Sequence, residues 1–301
     1  HPKYFPAKSA IIANTEVTAS ATTWKKAAFW FKSWSFVQGN SRMLNTLEQK
    51  KKYIQATRLQ NYQASLKLEG INPSSNAPAL SKAQILQKYK KFSQTSESWS
   101  GFLMDKYGEM GDSIYCYPDS DVLKNKLNIQ DAEILQQAEL ELTEYASTRI
   151  EYAEPPYDLK YLQSIHFQLF SDLYAWAGEL RQVDIAKGDT RFCTFPRIEI
   201  EANKLFKQLE QQNYFQGLAK PVLIQKIADF YCEVNVIHPF REGNGRTQRI
   251  FFEHLLAHCG YGVQWSKINN KEVWIQANID GFNCRLDGLI AIFEACIITP
   301  E

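Results

Sequence analysis

Twelve consecutive residues, His238-Pro239-Phe240-Arg241-Glu242-Gly243-Asn244-Gly245-Arg246-Thr247-Gln248-Arg249, combine an imidazole, a carboxylate, a small-residue turn and two well-placed arginines. That inventory suits binding of a polyphosphate and attack upon it. An imidazole takes a proton near neutral pH. Gly243-Asn244-Gly245 turns sharply enough to aim backbone N–H groups at an anion, and a helix starting there adds the positive end of its dipole. Glu242 offers an oxygen to Mg²⁺, and Arg246 and Arg249 offer planar forks to phosphate oxygens. Any one of these residues could be a satisfied core or surface residue; together, at one loop, they point to chemistry.

Such a loop needs rigid elements on both sides. Lys220 to Ile237 reads as a helix with Pro221 in its first turn and a buried stripe of Leu223, Ile224, Ile227, Tyr231, Val234 and Ile237. A second helix, Gly245 to Cys259, runs out of the loop and ends near Gly260. The remaining body also reads as helical, with segments Ser120–Leu127, Ile129–Glu151, Asp158–Trp176, Ile198–Gln212, Lys271–Gly281 and Leu286–Ile298. Leu180–Ile185 and Arg191–Phe195 flank Lys187-Gly188-Asp189 and are expected to form a β-hairpin. Closer to the N-terminus, Leu47–Leu68 and Ser81–Lys91 read as two helices, with Gly70 just past the first and Pro73 soon after.

The 301 residues, 45% hydrophobic, suffice for a sizeable core and one or two domains. The net charge of +1 hides a division: residues 1–42 carry +5, 43–91 carry +7, and the remainder −11. Such a split fits a nucleic-acid-binding arm or, as we prefer, two parts of one protein that attract each other. A polar stretch at 93–98 resembles a linker. The expected organisation is a peripheral leader at 1–42, a small helical unit at 43–92, a linker at 93–103 and the main domain at 104–301. The apolar run Ala27–Val37 is too short for a membrane span and is interrupted by Lys32. The six cysteines show no paired or metal-ligand spacing and read as buried apolar residues of a reduced, cytoplasmic protein. The absence of a G-x-x-x-x-G-K-[ST] loop disfavours a P-loop kinase or ATPase.

The twelve-residue segment resembles the signature of the Fic (fido) family, H-P-F-x-[D/E]-G-N-[G/K]-R-x-x-R, at every specified position. The resemblance implies an all-α Fic fold with a small β-hairpin flap, and a protein adenylyltransferase that moves AMP from ATP to a hydroxyl of a target protein. By motif position it makes His238 the general base, Phe240 a loop anchor and Glu242 the Mg²⁺ holder. Gly243, Asn244 and Gly245 become the anion cradle, and Arg246 and Arg249 the phosphate grip. Relatives with Ala at the position of Gly243 are associated with phosphate transfer, so Gly favours AMP. Arg191, Phe192, Cys193 and Thr194 fall where the family places a flap that docks an extended target segment. Trp265 and Trp274 read as core, and Asn278 as a weak adenine-side candidate.

Ser65-Leu66-Lys67-Leu68-Glu69-Gly70 matches the family's inhibitory motif, [S/T]-x-x-x-E-[G/N]. The resemblance implies that Glu69 pairs with Arg249 and takes the space of the γ-phosphate, with Ser65 on the same helix face. Since the motif lies on its own small unit, the chain looks like an antitoxin fused to its Fic toxin. Relatives of that class suggest gyrase B or its topoisomerase IV counterpart as targets. Neither a membrane nor direct nucleic-acid binding is expected. Two other readings stay open at this point: a non-enzymatic nucleotide-sensing or DNA-binding regulator, and transfer of another group (phosphate, UMP or phosphocholine) on the same scaffold.

Overall fold

The computed structural model describes residues 43–73, 80–93, 112–188 and 190–300. The leader 1–42, all but Ser93 of the 93–103 linker, and Asp189 of the hairpin lie outside the described residues. Among the described residues nine α-helices dominate: α1 (Leu47–Leu68), α2 (Lys82–Lys90), α3 (Ala132–Ser147), α4 (Leu159–Phe170), α5 (Ile198–Gln211), α6 (Lys220–Ile237), α7 (Asn244–His258), α8 (Lys271–Phe282) and α9 (Asp287–Cys296). No helix among the described residues is long and apolar enough to cross a membrane.

The caps explain several boundaries. Thr46 and Gln49 close a reciprocal capping box at the start of α1, and Ser81 with Gln84 repeats it for α2. Asp131 and Asp158 cap α3 and α4 through their side chains. Gly70, at φ +81°, ends α1 in the left-handed region that an L side chain avoids.

Helix α7 is the central helix of the described residues. From Ile250 to Ala257 every residue is buried, because α1, α4 and α6 all pack against this helix. A helix buried all round is a core helix rather than a surface one, and its Glu253 and His254 are buried with partners. The six stripe residues of α6 are all buried, as the 3.6-residue period requires. From the N-terminal region, Tyr62, Leu66, Leu68, Ile85 and Tyr89 join the same core.

Four sequence expectations need correction. Ser120–Leu127 is not helical: Cys116 and Leu123 form an isolated bridge, and the Asn125 side chain bonds the Leu123 and Ile129 carbonyls and the Ile129 N–H. Local side-chain bonds of this kind compete with a helix. Helix α4 stops at Phe170 rather than Trp176, and the turn beyond it gives the Ser171 and Leu173 carbonyls to Lys126. The hairpin shrinks to β1 (Ala186–Lys187) and β2 (Thr190–Arg191), paired Ala186 to Arg191 and Lys187 to Thr190. Beyond it the Phe192 N–H still reaches Ile185 O at 3.3 Å, but residues 180–184 do not extend the pairing, because the Arg181 N–H goes to Pro239 O and the Asp184 carboxylate takes the Phe195 N–H. Finally, α9 ends at Cys296, and β4 (Ile297–Ile298) pairs antiparallel with β3 (Gly262–Val263).

Candidate active site

His238 stands where α6 stops. Its backbone is left-handed, at φ +46° and ψ +64°, an uncommon state for a residue with a side chain. Its Nδ1 lies 3.1 Å from Asn235 O. A carbonyl cannot donate, so Nδ1 carries the proton and the neutral ring keeps its lone pair on Nε2. The Phe192 ring stacks on the imidazole, 3.8 Å between centroids and 14° between planes. The imidazole is therefore fixed in both tautomer and plane.

The loop after His238 is bracketed from four sides. Arg181 holds the His238 carbonyl through Nε at 2.8 Å. The Asn244 side chain accepts from Phe240 N at 2.8 Å and donates to Phe240 O at 2.6 Å. Arg241 pairs with buried Asp112 at 2.7 Å. His166 accepts the Gly178 N–H on Nδ1, so its Nε2–H donates to Glu242 O at 3.0 Å. Burial pushes the His166 imidazole down to about 3, and its ring lies 3.9 Å from Phe240 in a stacked pair. Phe240 is buried and anchors the loop.

Gly243 occupies the N-cap of α7 at φ +77°, and a Cβ there would come within 2.2 Å of Phe170 Cζ. Both the conformation and the close ring exclude a larger residue without adjustment. Glu242 Oε1 accepts the Gly243 N–H at 2.9 Å and meets Arg246 Nη2 at 3.2 Å. Arg246 is buried, paired also with Glu139 at 2.7 Å and stacked over Phe170, 4.8 Å from the ring centroid. Its nearest partners here are thus carboxylates.

Arg249 is held by α1. Its Nε donates to Ser65 Oγ at 2.6 Å, and Nη2 donates to Ser65 O at 3.1 Å and to Glu69 Oε1 at 2.6 Å. The Glu69 oxygen also lies only 2.0 Å from where a Cβ on Gly245 would stand. The carboxylate therefore sits directly over the turn that opens α7. Ser65 and Glu69, four apart on one helix face, converge on one guanidinium.

A second buried cluster ties α1 down one turn deeper along α7. Arg58 pairs with Glu253 at 2.5 Å and donates to His254 Nε2 at 2.5 Å. Trp265 Nε1 donates to the same Glu253 at 3.0 Å. Burial pushes the Glu253 carboxyl up, and burial followed by the Arg58 charge pushes His254 well down.

Of the remaining sequence candidates, Arg191 lies on β2 and Phe192 is buried against His238. Cys193 N–H donates to Val236 O at 3.0 Å, tying the flap to α6, and Thr194 leads into a 3₁₀ turn. Asn278 donates to Trp274 O at 2.8 Å and accepts from Asn235 at 3.3 Å, while Trp265 and Trp274 are core residues. Cys116, Cys232, Cys259 and Cys296 are buried, whereas Cys284 is exposed and Cys193 half-buried. Sequence reading missed Arg181, His166, Glu139 and Arg58. Their contacts with the signature and with Glu253 and His254 span 57 to 196 residues, so no local spacing marks them.

Comparison with known proteins follows the same division. Residues 156–256 match the Fic/DOC family, and residues 43–91 match a separate family described as YhfG. The chain is 45% identical over 195 residues to the probable protein adenylyltransferase Fic of Escherichia coli, covering 65% of this chain and 96% of that protein. It is 34% identical over 198 residues to the protein adenylyltransferase VbhT of Bartonella schoenbuchensis, covering 64% of this chain and 40% of that one. The structure is similar to that of BepC from Bartonella tribocorum with bound AMPPNP, at a TM-score of 0.57 and 28% identity, covering 62% of this chain and 97% of BepC. The chain belongs to the Fic/DOC family and is a protein adenylyltransferase.

Proposed function

We propose that this adenylyltransferase moves AMP from ATP to a hydroxyl of a target protein and that α1 holds it inactive. His238 Nε2 takes the proton of the target hydroxyl. The hydroxyl oxygen then bonds to the α-phosphorus as the α–β phosphoanhydride bond breaks and pyrophosphate leaves. Little of this requires covalent help from protein; position and charge stabilisation do the rest. Gly243 makes the turn of the anion cradle, Asn244 and Gly245 supply backbone donors at the start of α7, and Arg246 and Arg249 supply cationic forks for the outer phosphates.

Glu242 suits Mg²⁺. Among the described residues no three ligating side chains cluster. Mg²⁺ bound with a nucleotide commonly takes one or two carboxylates plus phosphate oxygens, so one carboxylate beside the cradle is enough. When bound, the ion neutralises charge on the phosphates. The residues around it do the rest: the Gly243 N–H and Arg246 orient the carboxylate.

The observation that carries the inhibitory reading is the Arg249 guanidinium, which receives Glu69 Oε1 at 2.6 Å and Ser65 Oγ at 2.6 Å. An anion from α1 holds the cation that a terminal phosphate would need. The match of 43–91 to a family of its own supports a regulatory unit fused to the enzyme, of antitoxin type. Type II topoisomerase subunits, gyrase B or the topoisomerase IV counterpart, are the target class we infer by resemblance alone. The flap residues Arg191, Phe192, Cys193 and Thr194 would dock the target segment, and the enzyme would work in the cytoplasm.

The test is incubation of Glu69→Gly protein with labelled ATP, Mg²⁺ and bacterial lysate. Proteins should acquire AMP with this variant, and not with Glu69→Gly/His238→Ala. Labelling that is absent from the first, or unchanged in the second, refutes the reading. Mass spectrometry of the added group separates AMP from phosphate, UMP or phosphocholine.

A further inference from the structure

Arg181 is 2% exposed and spends its guanidinium on main-chain carbonyls of three separate segments. Nε donates to His238 O at 2.8 Å, Nη1 to Val183 O at 2.6 Å, and Nη2 to Ile237 O at 3.3 Å and to Cys193 O. Its own N–H donates to Pro239 O at 2.9 Å. The carbonyls of Ile237 and His238 are the last of α6, where a cation is favoured by the helix dipole and the carbonyls lack intrahelical partners. Cys193 O belongs to the segment just after β2, whose Cys193 N–H and Phe192 ring reach back to Val236 O and the His238 imidazole.

We propose that Arg181 is a positioning residue that makes His238 and the 190–193 flap one rigid body. A single guanidinium then sets both the place of the base and the register in which a target strand meets it. The left-handed His238 backbone costs free energy that the surrounding structure must offset, and bonds to its carbonyl do so directly. The planar fork is essential: five N–H donors in fixed directions reach three segments at once, whereas an ammonium offers one point charge. Arg181→Lys therefore keeps the charge and loses the span.

The inference rests on the reading of His238 as base and of 191–194 as flap, and two measurements keep the two claims apart. In the Glu69→Gly chain, Arg181→Lys should lower AMP incorporation into lysate proteins by about 10²-fold, the cost of roughly 1 Å misplacement, with AMPPNP affinity unchanged. Native-state hydrogen exchange of the Glu69→Gly chain needs no substitution at Arg181. The Phe192, Cys193 and His238 amides should open with one shared free energy. In Arg181→Lys all three should exchange faster, while Phe251 and Leu255 in α7 stay protected. Independent exchange of the three amides overturns the proposal. So does full AMP transfer by Arg181→Lys, or an equal loss of AMPPNP binding and transfer. A failure of the base reading shows itself separately, as transfer retained in His238→Ala.

Discussion

The two halves of the signature are held in different ways. From His238 to Glu242 the loop is pinned by Arg181, His166, Asn244 and the Asp112–Arg241 pair, all within the main domain and mostly through main-chain carbonyls. From Gly245 to Arg249 the arginines rest on carboxylates: Glu139 and Glu242 on Arg246, and Glu69 on Arg249. Carbonyl brackets cannot be exchanged for a ligand without breaking the loop. Carboxylates can, because a phosphate oxygen offers the same charge and geometry to a guanidinium. On the proposed function, the difference would place regulation at the nucleotide end and leave the proton-transfer end assembled.

The sharpest way to break this comparison is at the pinned end. In the Glu69→Gly background, His238→Ala is expected to cost about 10²–10⁴-fold in AMP transfer, measured with labelled ATP, with AMPPNP affinity intact. Equal loss of affinity would mean that the two halves are not separable.

The next effect is on stability. Arg58→Ala leaves Glu253 buried without its cation and should cost about 3–5 kcal/mol in denaturant unfolding. It should also loosen α1 and raise AMPPNP affinity. A variant that unfolds normally and stays inhibited would show that Glu69 alone holds α1.

Acid should strain both the pinned half, through His166, and the α1–α7 cluster, through His254. His166, lowered to about 3 by burial, and His254, lowered well below its ordinary value by burial, are neutral when folded. The unfolded imidazoles bind protons near pH 6.5, so stability is full above that value and falls as pH drops towards 3. The slope should approach about 1.4 kcal/mol per pH unit for each histidine, and melts between pH 7.5 and 4.5 measure it. A curve that is flat across this range contradicts the buried neutral assignments.

The smallest effect is the most local. Gly245→Ala places a Cβ 2.0 Å from Glu69 Oε1 and 3.1 Å from the Arg249 nitrogens, on a helical backbone that tolerates Ala. It should displace the carboxylate in part and weaken its bond to Arg249, lowering stability to denaturant by about 1 kcal/mol. Unchanged stability would place Glu69 elsewhere in solution.

Legibility in the sequence follows the same two-part division. The signature, the α6 stripe and the span of α1 could be expected from residue types and spacing, and helical periodicity places Ser65 and Glu69 on one face; that Glu69 meets Arg249 is expected only from the family resemblance. What holds the loop could not. Arg181 and His166 act on carbonyls far along the chain, and nothing in their neighbourhood distinguishes a buried bracket from a surface side chain. The same contacts explain the hairpin error: residues 180–185 have strand-like composition, but Arg181 gives its N–H to Pro239 rather than to a strand partner. The segment 120–127 misleads for a local reason, since Asn125 satisfies the backbone that a helix would have used.

The most direct test of a pinned base beside an occupied nucleotide end is an AMPPNP titration of the unsubstituted and Glu69→Gly chains. A charge-assisted bond of about 1.5–3 kcal/mol, once removed, should tighten binding by roughly 10- to 150-fold. Equal affinity in the two proteins would contradict the account, since Glu69 would then leave the nucleotide end unguarded.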